Sequence, residues 1–384
     1  MFPFFWRKGK KNISLQSLNY TLQSINRMRR IICFLFLIVL MVGCSKDEVT
    51  PEGETAPEVE TAPEVDTSGA ILFTASRPSS YITRRMIENV TDLQSAGFGV
   101  FAYYTGSYTW NLCDGSGKEG HTSKVVPNFM YNQQVEWSTD HWTYSPVKYW
   151  PNDNNTADDS GASGSQEHSY LSFFAYAPYK TNEVTYITGF SANDVAGAPT
   201  INYTWGADND LLYAVQTDRY KYDRNDANDN GRIGETVLFN FRHALCKVQF
   251  KVRRSNTSHA VSLKSLSVSF NTTATFNLES TLWSSHSGSG SSNVFDASLS
   301  PISVTADTEE GAHAVGSPIM LIPESLTKYN VTYTVGGSEF THKAAPFESG
   351  LIPSSGASGC QYTIIFTIDG DAIKVDRNGF TEQW

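Results

Sequence analysis

Alternation with a period of two constrains this chain more than any other feature of its sequence. Val237, Phe239, Phe241 and His243 are spaced by residues that include polar Asn240 and Arg242. Cys246, Val248, Phe250 and Val252 then alternate with Lys247, Gln249 and Lys251. Leu266/Val268/Phe270, Tyr329/Val331/Tyr333/Val335 and Tyr362/Ile364/Phe366/Ile368 repeat the pattern. Successive side chains of a strand point to opposite faces, so each run predicts a half-buried antiparallel strand. The phase changes near Leu245, which predicts a bulge or tight bend that keeps both halves facing a core. Residues 98–104 (FGVFAYY) are apolar without alternation and lie between Gly97 and Gly106, as expected of a fully buried strand. Residues 144–149, 172–176 and 210–213 read as further strands, and hardly any stretch has a convincing helical period. The expected fold class is therefore all-β. Because the pattern restarts around residues 233–235, a domain boundary is expected near residue 236, dividing 70–235 from 236–384.

The chain has 384 residues, 40% of them hydrophobic and 13% aromatic, which excludes a mainly disordered protein. A net charge of −10 argues against nucleic acid as a partner, because binding phosphates takes clustered Lys and Arg. Among five cysteines no CxxC occurs, so neither a disulfide framework nor a zinc knuckle is supported. Cys33 falls in an apolar leader and Cys44 is the candidate for acylation, both taken up next, so Cys113, Cys246 and Cys360 remain. A single bridge among them stays open, and isolated core or loop thiols are favoured.

Arg29 and Arg30 precede an apolar run at 31–42, and Ser45, Lys46, Asp47 and Glu48 follow it. The run has the make-up of a secretory signal and falls short of the roughly 20 residues that span a bilayer. Met41-Val42-Gly43-Cys44 resembles a bacterial lipobox, which implies cleavage before Cys44 and acylation of its thiol. Two or three acyl chains would make a durable anchor, where one would not. Residues 1–43 are thus expected to be an upstream extension and signal peptide, with Met28 as the true start. Residues 44–69 are expected to be a lipidated acidic tether, because the tandem ETAPEV at 54–59 and 60–65 cannot bury enough surface to fold.

No motif announces catalysis: the histidines are scattered, no HExxH occurs, and residues 115–118 lack the rest of a phosphate loop. An enzyme is not expected. Asp226, Asn228 and Asn230 follow the spacing of a calcium loop, with Gly231 at its sixth position and Ile233 at its eighth. Val237 stands where the bidentate acid belongs, and Glu235 is an imperfect substitute. No cofactor is expected: an Asx-rich turn is the favoured reading of this loop, with Ca2+ as the other. Trp137, Trp142 and Trp150, with Tyr144 and Tyr149 nearby, could form a stacking platform for sugars or could pack a core. The alternative function is accordingly a surface glycan-binding β-sandwich lipoprotein.

Several segments in order carry a resemblance: FGVFAYYTG (98–106), FMYNQQV (129–135), WTYSPVKYWP (142–151), SFFAYAPY (172–179), DLLYA (210–214), FNFRHALCKVQFKV (239–252), MLIP (320–323) and YTIIFTI (362–368). Together with the lipobox they resemble the fimbrillin family, the lipoprotein subunits of fimbriae in the Bacteroides group of bacteria. The acidic tether and the calcium-like loop lie outside that pattern, and Cys246 stands where an Ala is expected. The resemblance implies two tandem transthyretin-like antiparallel β-sandwiches, 70–235 and 236–384. It implies an outer-membrane lipoprotein, surface-exposed, built into a fimbrium and serving adhesion. Its partners would be other fimbrial subunits in a homo- or hetero-polymer, the outer membrane through the lipid, and a host or bacterial surface ligand. Assembly in this family implies cleavage by an arginine-specific protease, here at Arg85, Arg84 or Arg77, the last least favoured because Pro78 follows it. Removal of a leading strand, here 71–75, then opens a groove that another subunit fills with a donor strand. The donor candidate is the C-terminal tail, with Ile373, Val375, Phe380 and Trp384. An edge strand completing the second sandwich is the other reading of that tail.

Overall fold

A computed structural model describes residues 69–76, 87, 89–106, 108–112, 125–151, 169–220, 236–255, 258–296, 300–353 and 355–381, the last three by backbone alone. In chain order its elements begin with β1 (Leu72–Ser76), α1 (Val90–Ala96), β2 (Phe98–Gly106), β3 (Met130–Ser138), β4 (His141–Thr143) and β5 (Tyr170–Ala177). There follow β6 (Ile187–Phe190), β7 (Thr200–Thr204), β8 (Leu212–Arg219), β9 (Thr236–Asn240), β10 (Arg242–His243) and β11 (Cys246–Arg254). Next come β12 (Val261–Phe270), β13 (Thr273–Asn277), β14 (Trp283–Ser287), β15 (Gly290–Asp296) and β16 (Ile302–Val304). The chain closes with β17 (His313–Leu321), β18 (Leu326–Val335), β19 (Ser338–Pro346), β20 (Gln361–Asp369) and β21 (Ala372–Thr381). The protein is almost all β, and its described pairings are antiparallel except β1 with β9 and β11 with β20.

A six-stranded sheet in the order β10-β8-β5-β2-β3-β4 organises the first half. The unbroken apolar runs of β2 and β5 have a simple cause, because both faces of this sheet are covered. Phe98, Val100 and Ala102 of β2, with Leu171, Phe173 and Ala175 of β5, enter one core cluster. Phe101 and Tyr103, with Phe174 and Tyr176, enter another on the opposite face. Gly99 admits the ring of Tyr176, whose Cε1 would lie only 2.2 Å from an added methyl carbon.

Across the first cluster lie β1 and β9, a two-stranded parallel sheet that contributes Phe73, Val237 and Phe239. Residues beyond 236 therefore pack with strands from the first half. Across the second cluster lies the sheet β14-β13-β7-β6, which draws two strands from each side of residue 236.

The third cluster is formed by two sheets, β17-β11-β20-β21 and β15-β12-β18-β19, and here alternation is plain. Val248, Phe250 and Val252 face Leu266, Val268, Val331 and Tyr333 through the core, while Gln249 and Lys251 stay partly exposed. The phase change near Leu245 marks a passage between sheets. β10 pairs with β8, Ala244 and Leu245 are buried in the second cluster, and β11 begins in the next sheet.

Two local expectations need correction. Residues 144–149 form no strand: β4 ends at Thr143, and Pro146, with no N–H to give a ladder, stands in the bend that follows. Residues 90–96 form a helix that the β-branched Val90 and Thr91 disguise. Its signals are its caps: the Asn89 side chain accepts from Asp92 N, and Gly97 ends it at φ 62°.

Candidate functional site

The leading segment 69–76 is held from both sides. Along β9 its register runs from Leu72 opposite Thr236 to Ser76 opposite Asn240, and Phe241 N donates to Ser76 O at 2.9 Å. On its other side Ile71 N donates to Lys148 O and Trp150 N donates to Gly69 O, each at 2.9 Å. Side chains alternate as a strand requires: Ile71 is 0% exposed, Leu72 46% and Phe73 5%. Phe73 stacks on Phe239 at 5.5 Å between centroids and meets Tyr144 at 5.2 Å, Phe173 at 6.0 Å and Phe98 at 6.3 Å.

Tyr144, named in the sequence only as a member of the aromatic group, has a role in this site that sequence reasoning missed. Its hydroxyl donates to Ile71 O at 2.9 Å and accepts from Lys148 N at 3.2 Å, joining the leading segment to the bend. Burial raises its pKa, the hydrogen bond with the Lys148 main chain lowers it, and Tyr149 raises it again. The signal was available: a tyrosine placed in a core needs a partner for its hydroxyl.

The C-terminal strand β21 lies at the rim of its sheet, with Ile373 opposite Ile368 and Val375 opposite Phe366 of β20. Both side chains are partly buried against the third cluster. The backbone of Phe380 pairs with Tyr362, whereas its side chain and Trp384 lie outside the described residues.

The tryptophans pack with the first cluster. Trp142 and Trp150 are 7% and 4% exposed, Trp142 meets Phe98 at 4.8 Å, and Trp150 meets Phe173 at 6.0 Å. Trp137 is half-buried, 5.3 Å from Trp142. An open platform for sugars is not how this group is arranged, since two of its rings are taken up in core contacts. Cys44, Arg77, Arg84, Arg85 and the calcium-like Asp226, Asn228, Asn230 and Glu235 all lie outside the described residues. Among the described residues no three metal-binding side chains gather.

A family model described as fimbrillin-like matches residues 94–384. A fimbrium subunit of Phocaeicola vulgatus, Fim1C, is 32% identical over 163 residues, which is 40% of this chain and 36% of that protein. That match thus spans about a third of the relative's length. A crystal structure of a fimbrial protein from Bacteroides vulgatus superimposes with a TM-score of 0.52 at 24% identity, over 82% of this chain and 99% of the other. The two share a fold.

Proposed function

The chain belongs to the fimbrillin-like family, and from that premise we propose that it is a fimbrial subunit that joins its neighbours by exchange of β-strands. A role in a surface fimbrium and association with other fimbrial subunits follow from the family. The finer reading is that an arginine-specific protease cuts after Arg77, Arg84 or Arg85, freeing β1, and that a strand from another subunit takes its place. It also holds that acylated Cys44 anchors the precursor to the outer membrane and that the fimbrium serves adhesion.

The observation that supports strand exchange most directly is the composition of the β1 site. Its occupant is short, lies next to the candidate cleavage residues in sequence, and contributes two large side chains, Ile71 and Phe73, to the core. Burial of such side chains contributes roughly 1.5–3 kcal/mol each. Loss of β1 would leave Phe98, Phe173, Phe239 and Tyr144 facing an open groove, with the β9 edge unpaired. An incoming strand would satisfy that edge with main-chain hydrogen bonds and refill the core with alternate apolar side chains. The tail strand β21 is the candidate donor, since Ile373 and Val375 alternate with Lys374 and Asp376.

The test is to treat the full chain with an arginine-specific protease and to record N-terminal sequence and oligomeric state before and after. A single cut in residues 77–85 followed by SDS-resistant ladders is the expected result. A cut that leaves a monomer would overturn strand exchange.

A further inference from the structure

Cys246 opens β11 and Cys360 stands directly before β20, and these two strands run parallel with Lys247 opposite Gln361. Two main-chain hydrogen bonds bracket the cysteines: Gly359 N donates to Leu245 O and Lys247 N donates to Cys360 O, each at 2.9 Å. One step back from the Lys247–Gln361 pair sets Cys246 beside Cys360. Both side chains enter the same core cluster as Val248, Phe250, Tyr362 and Ile364, so they share a face of the sheet. Both are buried thiols. Neighbouring strands lie about 4.8 Å apart, which falls inside the Cα separation of roughly 4.4–6.8 Å that a disulfide spans. Each thiol lies near a carbonyl, Cys246 Sγ 3.4 Å from Leu321 O and Cys360 Sγ 3.0 Å from Gly356 O. Closing a bridge therefore calls for rotation of the two side chains, not for a shift of β11 against β20.

We propose that Cys246 and Cys360 become joined by a disulfide when the chain folds in an oxidising compartment. The chemistry is thiol–disulfide exchange with a disulfide-bearing carrier of the cell envelope. The thiolate of one cysteine attacks the carrier's disulfide, giving a mixed disulfide, and the other cysteine displaces the carrier from it. The two thiol protons and two electrons end on the carrier, by way of solvent for the protons, and it departs as its dithiol. In the folded protein burial raises the Cys246 thiol far above the usual range, leaving little of the reactive thiolate. The bridge accordingly closes during folding, before the third cluster seals. Its structural effect is a covalent tie between β11 and the entrance to β20. A load arriving through the C-terminal hairpin β20–β21 would pass at Cys360 directly to β11. The proposal does not depend on strand exchange.

The test is a disulfide map of the full chain, folded from denaturant in a glutathione redox buffer, blocked with iodoacetamide and digested without reduction. The expected result is one cross-linked species containing the Cys246 and Cys360 peptides, lost after dithiothreitol. The same chain folded in dithiothreitol and only then given glutathione disulfide should form it at least about tenfold more slowly. Separately alkylated Cys246 and Cys360 peptides from the oxidatively folded chain would overturn the proposal, as would either cysteine joined to Cys113. A Cys113→Ser chain should give the same cross-link.

Discussion

Nδ1 of His243 lies 3.0 Å from both carboxylate oxygens of Asp210, and each of the two side chains is 3% exposed. Asp210 Oδ1 also accepts from Leu211 N at 2.9 Å. The pair ties the approach to β8 to the two-residue strand β10, at the point where the chain leaves the first sheet. His243→Leu leaves the buried Asp210 side chain without its imidazole partner and should cost about 1–3 kcal/mol. Replacing both partners, His243→Leu with Asp210→Leu, should cost less than the sum of the two single changes, because neither polar side chain is then left alone. Urea unfolding of the single and double variants decides the matter. A double variant as costly as that sum would show that the two side chains do not act as a pair.

The β1 site predicts an asymmetry between adjacent residues. Phe73→Ala removes a ring packed on four aromatic partners and should cost about 3–5 kcal/mol. Leu72→Ala, at a side chain 46% exposed, should stay within about 0.5 kcal/mol. Equal shifts of the two urea midpoints would contradict the placement of Phe73 in the core.

Much of this arrangement could be read from the sequence, and its limits have physical causes. Alternation in residues 248–252 and 329–335 reported one buried face, and the continuous run 98–104 reported two, because side-chain direction in a strand is local. In 362–368 the alternation hid a second face, where Ile365 and Thr367 are buried too. What covers a face is not local. The sheet β14-β13-β7-β6 joins 187–204 to 273–287, and no period links those segments. The same limit applied to Trp142 and Trp150: an aromatic-rich sequence fits a binding platform or a core equally, and only their contacts with Phe98 and Phe173 decide. Tyr144 stood in the same aromatic group, but its bond to the leading segment was not legible because Ile71 O lies 73 residues away in sequence.

Tyr333 predicts sensitivity to alkali. Its hydroxyl is 3.1 Å from His342 Nε2 and its ring stacks on that imidazole. Its pKa is raised from 10.0 to about 12, first by burial and then by Asp371 and Tyr329. With the folded pKa above the unfolded one, the neutral phenol contributes stability that is complete below pH 10 and is lost as pH rises from 10 through 12. Tyr333→Phe should change stability at neutral pH by no more than about 1.5 kcal/mol. It should also flatten part of the alkaline decline. Urea midpoints across that range in both proteins provide the check, and parallel declines would remove Tyr333 as a cause.

The last prediction separates a strand that merely completes its sheet from one that also leaves it. In the folded monomer Ile373 and Val375 are partly buried against the third cluster, so Ile373→Ser with Val375→Ser loses only part of their transfer energy. If β21 is the donor, the same side chains become fully buried in the groove left by β1, beside Phe98, Phe173 and Phe239. The double substitution should then weaken the intersubunit joint more than it weakens the monomer. Monomer stability is read by urea unfolding, and the joint by the denaturant needed to dissolve protease-induced ladders. A monomer cost of about 1–3 kcal/mol is expected. A disproportionate loss of ladder resistance should accompany it, because a serine hydroxyl enclosed without a partner adds its own desolvation cost. Ladders as resistant as those of the parent chain would mean that these residues stay where the monomer has them, and that the donor lies elsewhere.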